Sequence, residues 1–527
     1  MKILLFALNS SYVHTNLAVR SIADALKDSD CSVQILERNL KERRDGVLRE
    51  LYDANADIYG FSVYIWNITE LLKYASSLKQ LRPDSTVVFG GPEVSFEDDS
   101  FFEKHPYVDR LIHGEGENAW IDLINGKAGG KIIEGRSYDG FLTQKSLYRA
   151  LAPGGRIAYY ESSRGCPYKC AFCLSSLTDG VRAKSVSDTL NDLRDFQKYH
   201  GDIKIIKFVD RTFNFDRDRA YQIWKALLYD EFTLSYHFEI CASLLRECDI
   251  ELLKQFPKGK IQLEIGVQST NPDTLKAISR IDDTSSVISA AKRIHSLGNI
   301  HVHCDLIAGL PYESYESFKK SFNDVYGSCD MLQLGFLKLL RGSALRNDAD
   351  KYGILYEEDP PYSVLKTNAI TYEEVSTLHD VASLLERFTE GAFSNTFEYI
   401  NATIDSPFDF FEGLANYLKK ISPHSSIASY SQNRARELLL SYCYSHPNLD
   451  NDVVSSLMAL DFYLTDITSI PAFLQKYVFE DDECKEVLRE RFNGKWPSST
   501  ITRRFTFDRD AIYIIDRKNH NYIKVYR

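Results

Sequence analysis

Apolar residues recur at two different periods along the chain, and the switching between them predicts its elements. KILLFAL, CSVQILE, IYGFSVYIW and TVVFGGPEVS are apolar runs of strand length. Between them, NLAVRSIADALKD, RRDGVLRELYDAN and ITELLKYASSLKQLRP place apolar residues at helical spacing. Strands alternating with helices predict a parallel, doubly wound sheet, and DRLIHGEGE closes the series. Ligands of such sheets sit at the C-terminal strand ends, which here are the loops 9–16, 62–67, 90–95 and 114–117. The stretch 127–155 is richer in Gly, Ser and polar residues and reads as a connector. The first domain is therefore set at 1–135 and the connector proper at 136–156.

A second strand–helix series follows, with strands RIAYYESSRGC, IKIIKFVDR, SYHFEICAS, IQLEIGVQS, IHVHCDLIAG and MLQLGFLKLL. Six such units predict a partial (βα)6 barrel over 157–345, with its chemistry at the strand C-termini. From 346 to 527 the pattern is mainly helical, as in YEEVSTLHDVASLLERFTEGAF and SQNRARELLLSYCYS. The final RRFTFDRDAIYIIDRKNHNYIKVYR alternates as a small β-meander does. The fold class is α/β: a Rossmann-like sheet, a partial barrel, then a helical domain ending in short strands.

Composition narrows the function classes. At 527 residues the chain is too long for one core, and its 44% hydrophobic and 26% charged content is that of a soluble globular protein. No apolar run approaches the roughly 18 residues of a membrane span, and MKILLFALNSSYVH lacks a cleavable signal pattern. A cytoplasmic location and no membrane partner are expected. The net charge of −11, with both signs mixed, argues against nucleic acid as a partner. Ten cysteines in a cytosolic chain are reduced thiols or metal ligands. Cys31, Cys241, Cys248, Cys304, Cys329, Cys443 and Cys484 show no ligand spacing and read mostly as small buried hydrophobes.

The other three stand in SSRGCPYKCAFCLSS. Cys166, Cys170 and Cys173 form C-x3-C-x2-C on the loop after the first barrel strand. Thiolates ligate iron–sulfur clusters, and three of them on a four-iron cubane leave one iron open to a chelating ligand. A zinc knuckle would need a fourth Cys or His nearby, and none follows within the loop.

This spacing, with Phe172 before the last cysteine, resembles the signature of the radical S-adenosylmethionine superfamily. The resemblance implies a [4Fe–4S] cluster whose open iron is chelated by S-adenosylmethionine, which is then reductively cleaved to a 5′-deoxyadenosyl radical. FVDRTFN looks like the segment near the cofactor's amino group. Asp210 is there either an ammonium partner or the N-cap of the next helix. Glu239 and Ser243 flank a strand end, in reach of ribose or substrate. LEIGVQSTNPDTLKAISR resembles the segment beneath adenine, with Glu264, Gln268 and Arg280 its polar members; Glu264 alternatively satisfies a core hydrogen bond. DLIAGLP resembles the segment stacked near adenine, where Gly309 and Pro311 serve turn geometry.

A doubly wound domain ahead of this motif, with FGGPEVS and IHGEGE, resembles the cobalamin-binding subgroup. Over residues 1–345 the resemblance implies that Asn9, Ser62, Tyr64, Gly90, Gly91, Glu93, Gly114 and Glu117 face a corrin, the glycines allowing close backbone approach. The chain lacks Asp-x-His-x-x-Gly, the segment whose imidazole ligates cobalt in many cobalamin proteins. Tyr64 and Trp66 are then candidates to cover the lower corrin face, or else pack in the core. QLGFLKLLRGSALR and the C-terminal part resemble a subgroup whose helical tail has no assigned role. The implied function is cobalamin-dependent methyl transfer to an unactivated carbon of a small-molecule or peptide substrate, with flavodoxin or ferredoxin as electron donor. Ring rearrangement or cyclisation would use the same parts, and so would a radical enzyme whose first domain has lost cobalamin. A methylthiotransferase would need three further N-terminal cysteines where this domain has Cys31 alone. A non-catalytic cluster or cobalamin sensor is the remaining alternative.

Overall fold

In the computed structural model the first sheet is built around β1 (Lys2–Asn9), flanked by β2 (Ser32–Asn39), β3 (Ile58–Ser62), β4 (Thr86–Gly90), β5 (Arg110–His113) and β6 (Ile132–Glu134). Their order is β2-β1-β3-β4-β5-β6, and every neighbouring pair is parallel. The alternation of β1 explains its unbroken apolar run. Leu4, Phe6 and Leu8 join one core with Tyr59, Phe61, Phe89, Leu71 and Tyr74. Ile3, Leu5 and Ala7 join the opposite core with Ile58, Val88, Ile112 and Trp120. A strand covered by helices on both faces has no polar side to show. Burial of each large side chain contributes about 1.5–3 kcal/mol. β6 lies in the stretch read as connector; its apolar content is a pair of isoleucines, too little to mark a strand.

The structure describes all residues except 145–146, 148–156, 200–201, 281–282, 390, 424–426, 466–468, 494 and 527. Much of the expected connector 136–156 therefore lies outside the described residues. The second sheet contains the six expected strands: β7 (Ile157–Tyr160), β10 (Ile205–Phe208), β11 (Ser235–Ile240), β12 (Ile261–Gln268), β13 (His301–Ala308) and β14 (Met331–Phe336). A small antiparallel pair, β8 (Ser163–Gly165) and β9 (Val181–Ala183), interrupts the series at the cysteine loop. The sheet order is β14-β13-β12-β11-β10-β7, and the ladders from β7 to β13 are parallel. On β12 and β13 Leu263, Ile265, Val302, Cys304 and Leu306 are buried. Of the intervening polar residues, Glu264 pairs with His237 across the strands and His303 with Asp305 along β13.

The chain divides into two compact units: Met1–Phe318 with Gly327–Asp330 and Gly335–Thr371, and Lys319–Tyr326 with Met331–Leu334 and Tyr372–Arg527. Residues 346–371, expected at the head of the helical domain, thus belong with the first unit. Tyr362 and Val364 bury into one cluster with Leu310, Leu337 and Leu345 there, around the hairpin β15 (Leu355–Tyr356) and β16 (Val364–Lys366). In the second unit the helices Tyr372–Thr389, Ser394–Thr403, Pro407–Ile421, Gln432–Cys443 and Asn451–Thr465 pack Phe388, Phe397, Phe410 and Phe411. The expected meander is β18 (Thr500–Phe505), β19 (Asp508–Asp516) and β20 (Asn521–Tyr526), extended on one side by β17 (Val478–Phe479). No helix among the described residues is long and apolar enough to cross a membrane.

Gly60 in β3 is a closely packed point of the first sheet. A Cβ there would lie 2.4 Å from the buried Trp120 ring and 2.9 Å from Leu5. Gly60→Ala is expected to lower the stability of the N-terminal part by about 1–3 kcal/mol through overpacking. Urea unfolding followed by tryptophan fluorescence measures this, and an unshifted midpoint would show that Trp120 can yield.

Candidate functional site: a cysteine loop facing a Rossmann-like edge

The cysteine loop leaves β8 through Gly165, whose φ of +104° lets its backbone pass Gly180, with a Cβ position 2.2 Å from that carbonyl. The loop is then pinned by its own chain. Cys166 N–H donates to Thr178 Oγ1 at 3.2 Å, and Lys169 Nζ reaches the carbonyls of Ser176 and Thr178 at 2.8 and 2.7 Å. Ala171 N–H donates to Ile278 O at 2.9 Å, and Leu345 N–H to Ala171 O at 2.9 Å. Burial pushes the Cys170 thiol up; Arg280 opposes this, while Cys173 and Cys166 nearby add to it. The three sulfurs do not all lie within 4.8 Å of one another, as ligands of a single ion would. A wider triangle of thiols, three in number, fits an iron–sulfur cubane with one open corner.

At the mouth of the barrel the polar residues expected near S-adenosylmethionine separate into two groups. Gln268 ends β12 in the left-handed region, φ +72°, with its Oε1 buried and unpartnered among the described residues. Room for its amide exists because residue 266 is glycine: a Cβ there would sit 2.2 Å from Gln268 Nε2. Arg280 donates to Gly266 O at 2.5 Å and bonds the Cys170 thiol. Ser243 contacts Cys241 Sγ at 3.1 Å, which in turn accepts from Tyr168 OH of the cysteine loop at 3.0 Å. Gly309 has φ +83° and passes Val364, a turn geometry as expected. Phe172 packs on the cluster of Leu275, Ile278 and Leu310. An orphaned amide oxygen and a strained backbone at the cysteine loop fit a ligand that supplies donors.

Asp210 belongs to the other group. It is fully buried and accepts from Ser162 N–H at 2.8 Å, Ser162 Oγ at 2.5 Å and Ser163 Oγ at 2.7 Å. Burial raises its carboxyl despite these bonds and the charge of Arg219. In this structure the carboxylate is bonded to the two serines that lead into the cysteine loop. The N-cap of the helix that follows, Arg217–Tyr229, is Asp216. Glu239 and Glu264 face the barrel interior. Burial pushes Glu239 up to about 7, partly offset by Arg211. Glu264 is held down to about 2 against its burial, by His237 at 3.1 Å and Lys207 at 3.4 Å.

The four loops of the first sheet gather at one edge, and that edge meets the barrel. Asn9 Nδ2 donates to Glu37 at 3.0 Å and His14 O at 3.1 Å, and Asn16 Nδ2 to Ser62 Oγ at 3.3 Å. Val63 N–H donates to Gly90 O at 2.8 Å, and Gly114 N–H to Ser95 Oγ at 3.3 Å. Gly91, at φ +130°, passes within 2.3 Å of Val63 O at its Cβ position, so its freedom serves loop packing. Glu93 is buried and accepts from Tyr362 OH, with Arg341 at 3.8 Å, so it points at the chain and not at an open cleft. Glu117 accepts from Ser21 Oγ at 2.6 Å and pairs with Arg164 at 2.9 Å. Ile65 packs on the same cluster as Ala171 and Phe172, and His14 Nδ1 lies 2.6 Å from Tyr159 OH of β7. Tyr64 and Trp66 stack at 4.3 Å and 9°; Trp66 is 49% exposed, while Tyr64 is half-buried with its hydroxyl bonded to Ser62 and Asn16.

Sequence reading passed over two features. Arg164, inside the quoted SSRGC, pairs with Glu115, Glu117 and Glu161 at 2.6, 2.9 and 2.8 Å. His237 and His303 bring ring nitrogens within 4.8 Å of a Glu264 carboxylate oxygen. The signal for that trio is period-two alternation in YHFEI, LEIG and HVHCD. Asp210→Ala is expected to cost about 1–3 kcal/mol by leaving the Ser162 N–H and the buried hydroxyls of Ser162 and Ser163 without their acceptor. A denaturation midpoint equal to wild type would return the carboxylate to ligand binding.

Three family models match the chain in order. They are a B12 binding domain over 3–124, the Radical SAM superfamily over 160–325, and a protein family of unknown function, DUF4080, over 350–509. The cobalamin-dependent radical SAM methyltransferase TokK of Streptomyces tokunonensis is 26% identical over 60% of this chain and 51% of its own. The 2-(S-pantetheinyl)-carbapenam-3-carboxylate methyltransferase of Streptantibioticus cattleyicolor is 25% identical over 61% and 55%. The chain thus spans about half the length of the curated relatives it matches. The solved cobalamin-dependent S-adenosylmethionine radical enzyme OxsB, with aqua-cobalamin and S-adenosylmethionine bound, superimposes with TM-score 0.60 at 15% identity over 88% of this chain and 78% of its own. With a cysteine loop packed against the ligand edge of a Rossmann-like sheet, the chain carries a segment that matches a B12 binding domain ahead of one that matches the Radical SAM superfamily.

Proposed function

We propose that this protein is a radical S-adenosylmethionine enzyme that transfers a methyl group from cobalamin to an unactivated carbon of a small-molecule or peptide substrate. One observation carries the reading: Ile65, on the ligand edge of the first sheet, and Phe172, between two cluster cysteines, pack on one apolar cluster. Two edges held this close suit a reaction in which two cofactors share one substrate. When bound, the cluster supplies an electron to the sulfonium of S-adenosylmethionine and cobalamin carries the methyl group.

The chain's own residues divide the remaining work. Cys166, Cys170 and Cys173 hold the cluster, and Arg280 fixes the middle thiol from the side. Gln268 offers its orphaned amide oxygen to a donor on S-adenosylmethionine, with Ser243 and Gly309 bounding the same mouth. Tyr64 and Trp66 would offer a flat stacked platform to a bound corrin, and Asn9, Ser62, Gly90 and Gly114 would set the loop floor. Their stacked rings would shield from water the side of a bound corrin that they cover. A flavodoxin or ferredoxin is the electron donor in this reading.

Anaerobically reconstituted protein is expected to hold about four irons per chain and, with a strong reductant, to release 5′-deoxyadenosine and methionine. Replacing Cys166, Cys170 and Cys173 together by Ala removes both; stoichiometric zinc in place of iron would end the radical reading. Titration with hydroxocobalamin is expected to give a base-off spectrum, with Trp66→Ala weakening binding about tenfold, or about 1.4 kcal/mol. No corrin binding under any condition would leave the first domain a scaffold and remove the methyl-transfer step.

A further inference from the structure

Inside the barrel, three neighbouring strands each turn one ligand-type side chain toward the same point. His237 lies on β11, Glu264 on β12 and His303 on β13, and one ligand atom from each lies within 4.8 Å of the others. His237 Nε2 stands 3.1 Å from Glu264 Oε2. The alternation of the strands aims all three away from the buried apolar layer of Phe238, Leu263 and Val302. We propose that this trio holds a divalent transition-metal ion, zinc in the first instance, as a site separate from the cluster and from cobalamin.

Ligand chemistry supports the assignment. Two imidazoles and one carboxylate suit zinc, whose ligands at about 2.0–2.2 Å lie no more than about 4.2 Å apart. Small side-chain rotations close the present triangle to that size. His237 is 9% exposed in its side chain, and its Nδ1 is buried without a partner among the described residues. Asp305 stands 3.3 Å from His303 Nε2, as an outer carboxylate that orients a metal-ligating imidazole does.

Charge in the lumen points the same way. Three carboxylates, Glu239, Glu264 and Asp305, interact there with the permanent cations Lys207 and Arg211. Lys207, 3.4 Å from Glu264 and 40% exposed in its side chain, is the flexible group that gives way to an incoming dication. Three protein ligands leave zinc an open coordination position. Glu264 precedes Gln268 by four residues on β12, so the ion lies about 13 Å below the barrel mouth. That distance suits an anchor for the far end of a substrate bearing a carboxylate, hydroxyl or amine. Such an anchor lies outside the methyl-transfer chemistry and stands whether or not cobalamin binds.

Zinc titration of the reconstituted holoprotein, read by elemental analysis after gel filtration, tests it. One zinc per chain is expected in addition to the cluster iron. The variant with Cys166, Cys170 and Cys173 changed to Ala should bind the same single zinc, which rules out the thiols. His237→Ala and His303→Ala should each weaken that zinc by at least about 100-fold, since outer partners alone account for about 10–100-fold. X-ray absorption at the zinc edge of the wild-type protein should report nitrogen and oxygen ligands with two imidazoles, a readout that does not depend on any variant folding. Sulfur ligation, no bound zinc, or undiminished zinc in both histidine variants would overturn the site.

Discussion

One buried guanidinium holds the first unit together where its two halves meet. Arg164, 16% exposed in its side chain, pairs with Glu115 and Glu117 from the Rossmann-like part and with Glu161 from the barrel. Its ring-stacked face lies 4.7 Å from the Phe141 ring. A planar fork of five donors can serve three carboxylates at fixed angles, which a lysine cannot. Burial raises Glu161 even beside this cation, while Glu117, equally close to Arg164, ends below its ordinary value. Such buried arrangements contribute less to net stability than to orientation, because desolvation consumes much of the attraction. Arg164 precedes Cys166 by two residues, so the spacing of the two edges is transmitted to the first cysteine directly.

Much of this was legible in the sequence because burial leaves periodic traces. The unbroken run in β1 and the alternation in β12 and β13 are what two-sided and one-sided covering impose. The three cysteines were legible because their spacing is itself the chemistry. Partnerships of single carboxylates were not. Asp210 and Glu93 stand in motifs that suggest ligand contacts, yet folding spends both on Ser162, Ser163 and Tyr362. The hydrogen-bond partners of a carboxylate come from residues 48 and 269 positions away, and no local pattern encodes them. Gly91 was read as space for a corrin, whereas Val63 occupies the space it leaves. The segment 346–371 carries too little periodicity to reveal that its Tyr362 and Val364 are core residues.

The barrel interior separates two polar regimes that a linear reading merges. Near the mouth, Arg280 bonds the Gly266 carbonyl and the Cys170 thiol, beside the Gln268 amide that lies over Gly266. Deeper in, His237, Glu264 and His303 address one another. Strand alternation delivers both sets to the lumen, and the left-handed turn of Gln268 is what detaches the upper set from the lower.

That turn also has a meaning for how the protein can change. A non-glycine residue held in the left-handed region costs about 1–3 kcal/mol, and glycine would relieve it. On backbone grounds alone, Gln268 is a substitution waiting to be reversed. A glycine arising there by mutation would make the fold more robust while emptying the mouth of its amide. At this position backbone ease and the proposed cofactor contact pull in opposite directions, so selection of variants on folding alone would favour the glycine and discard the amide with it.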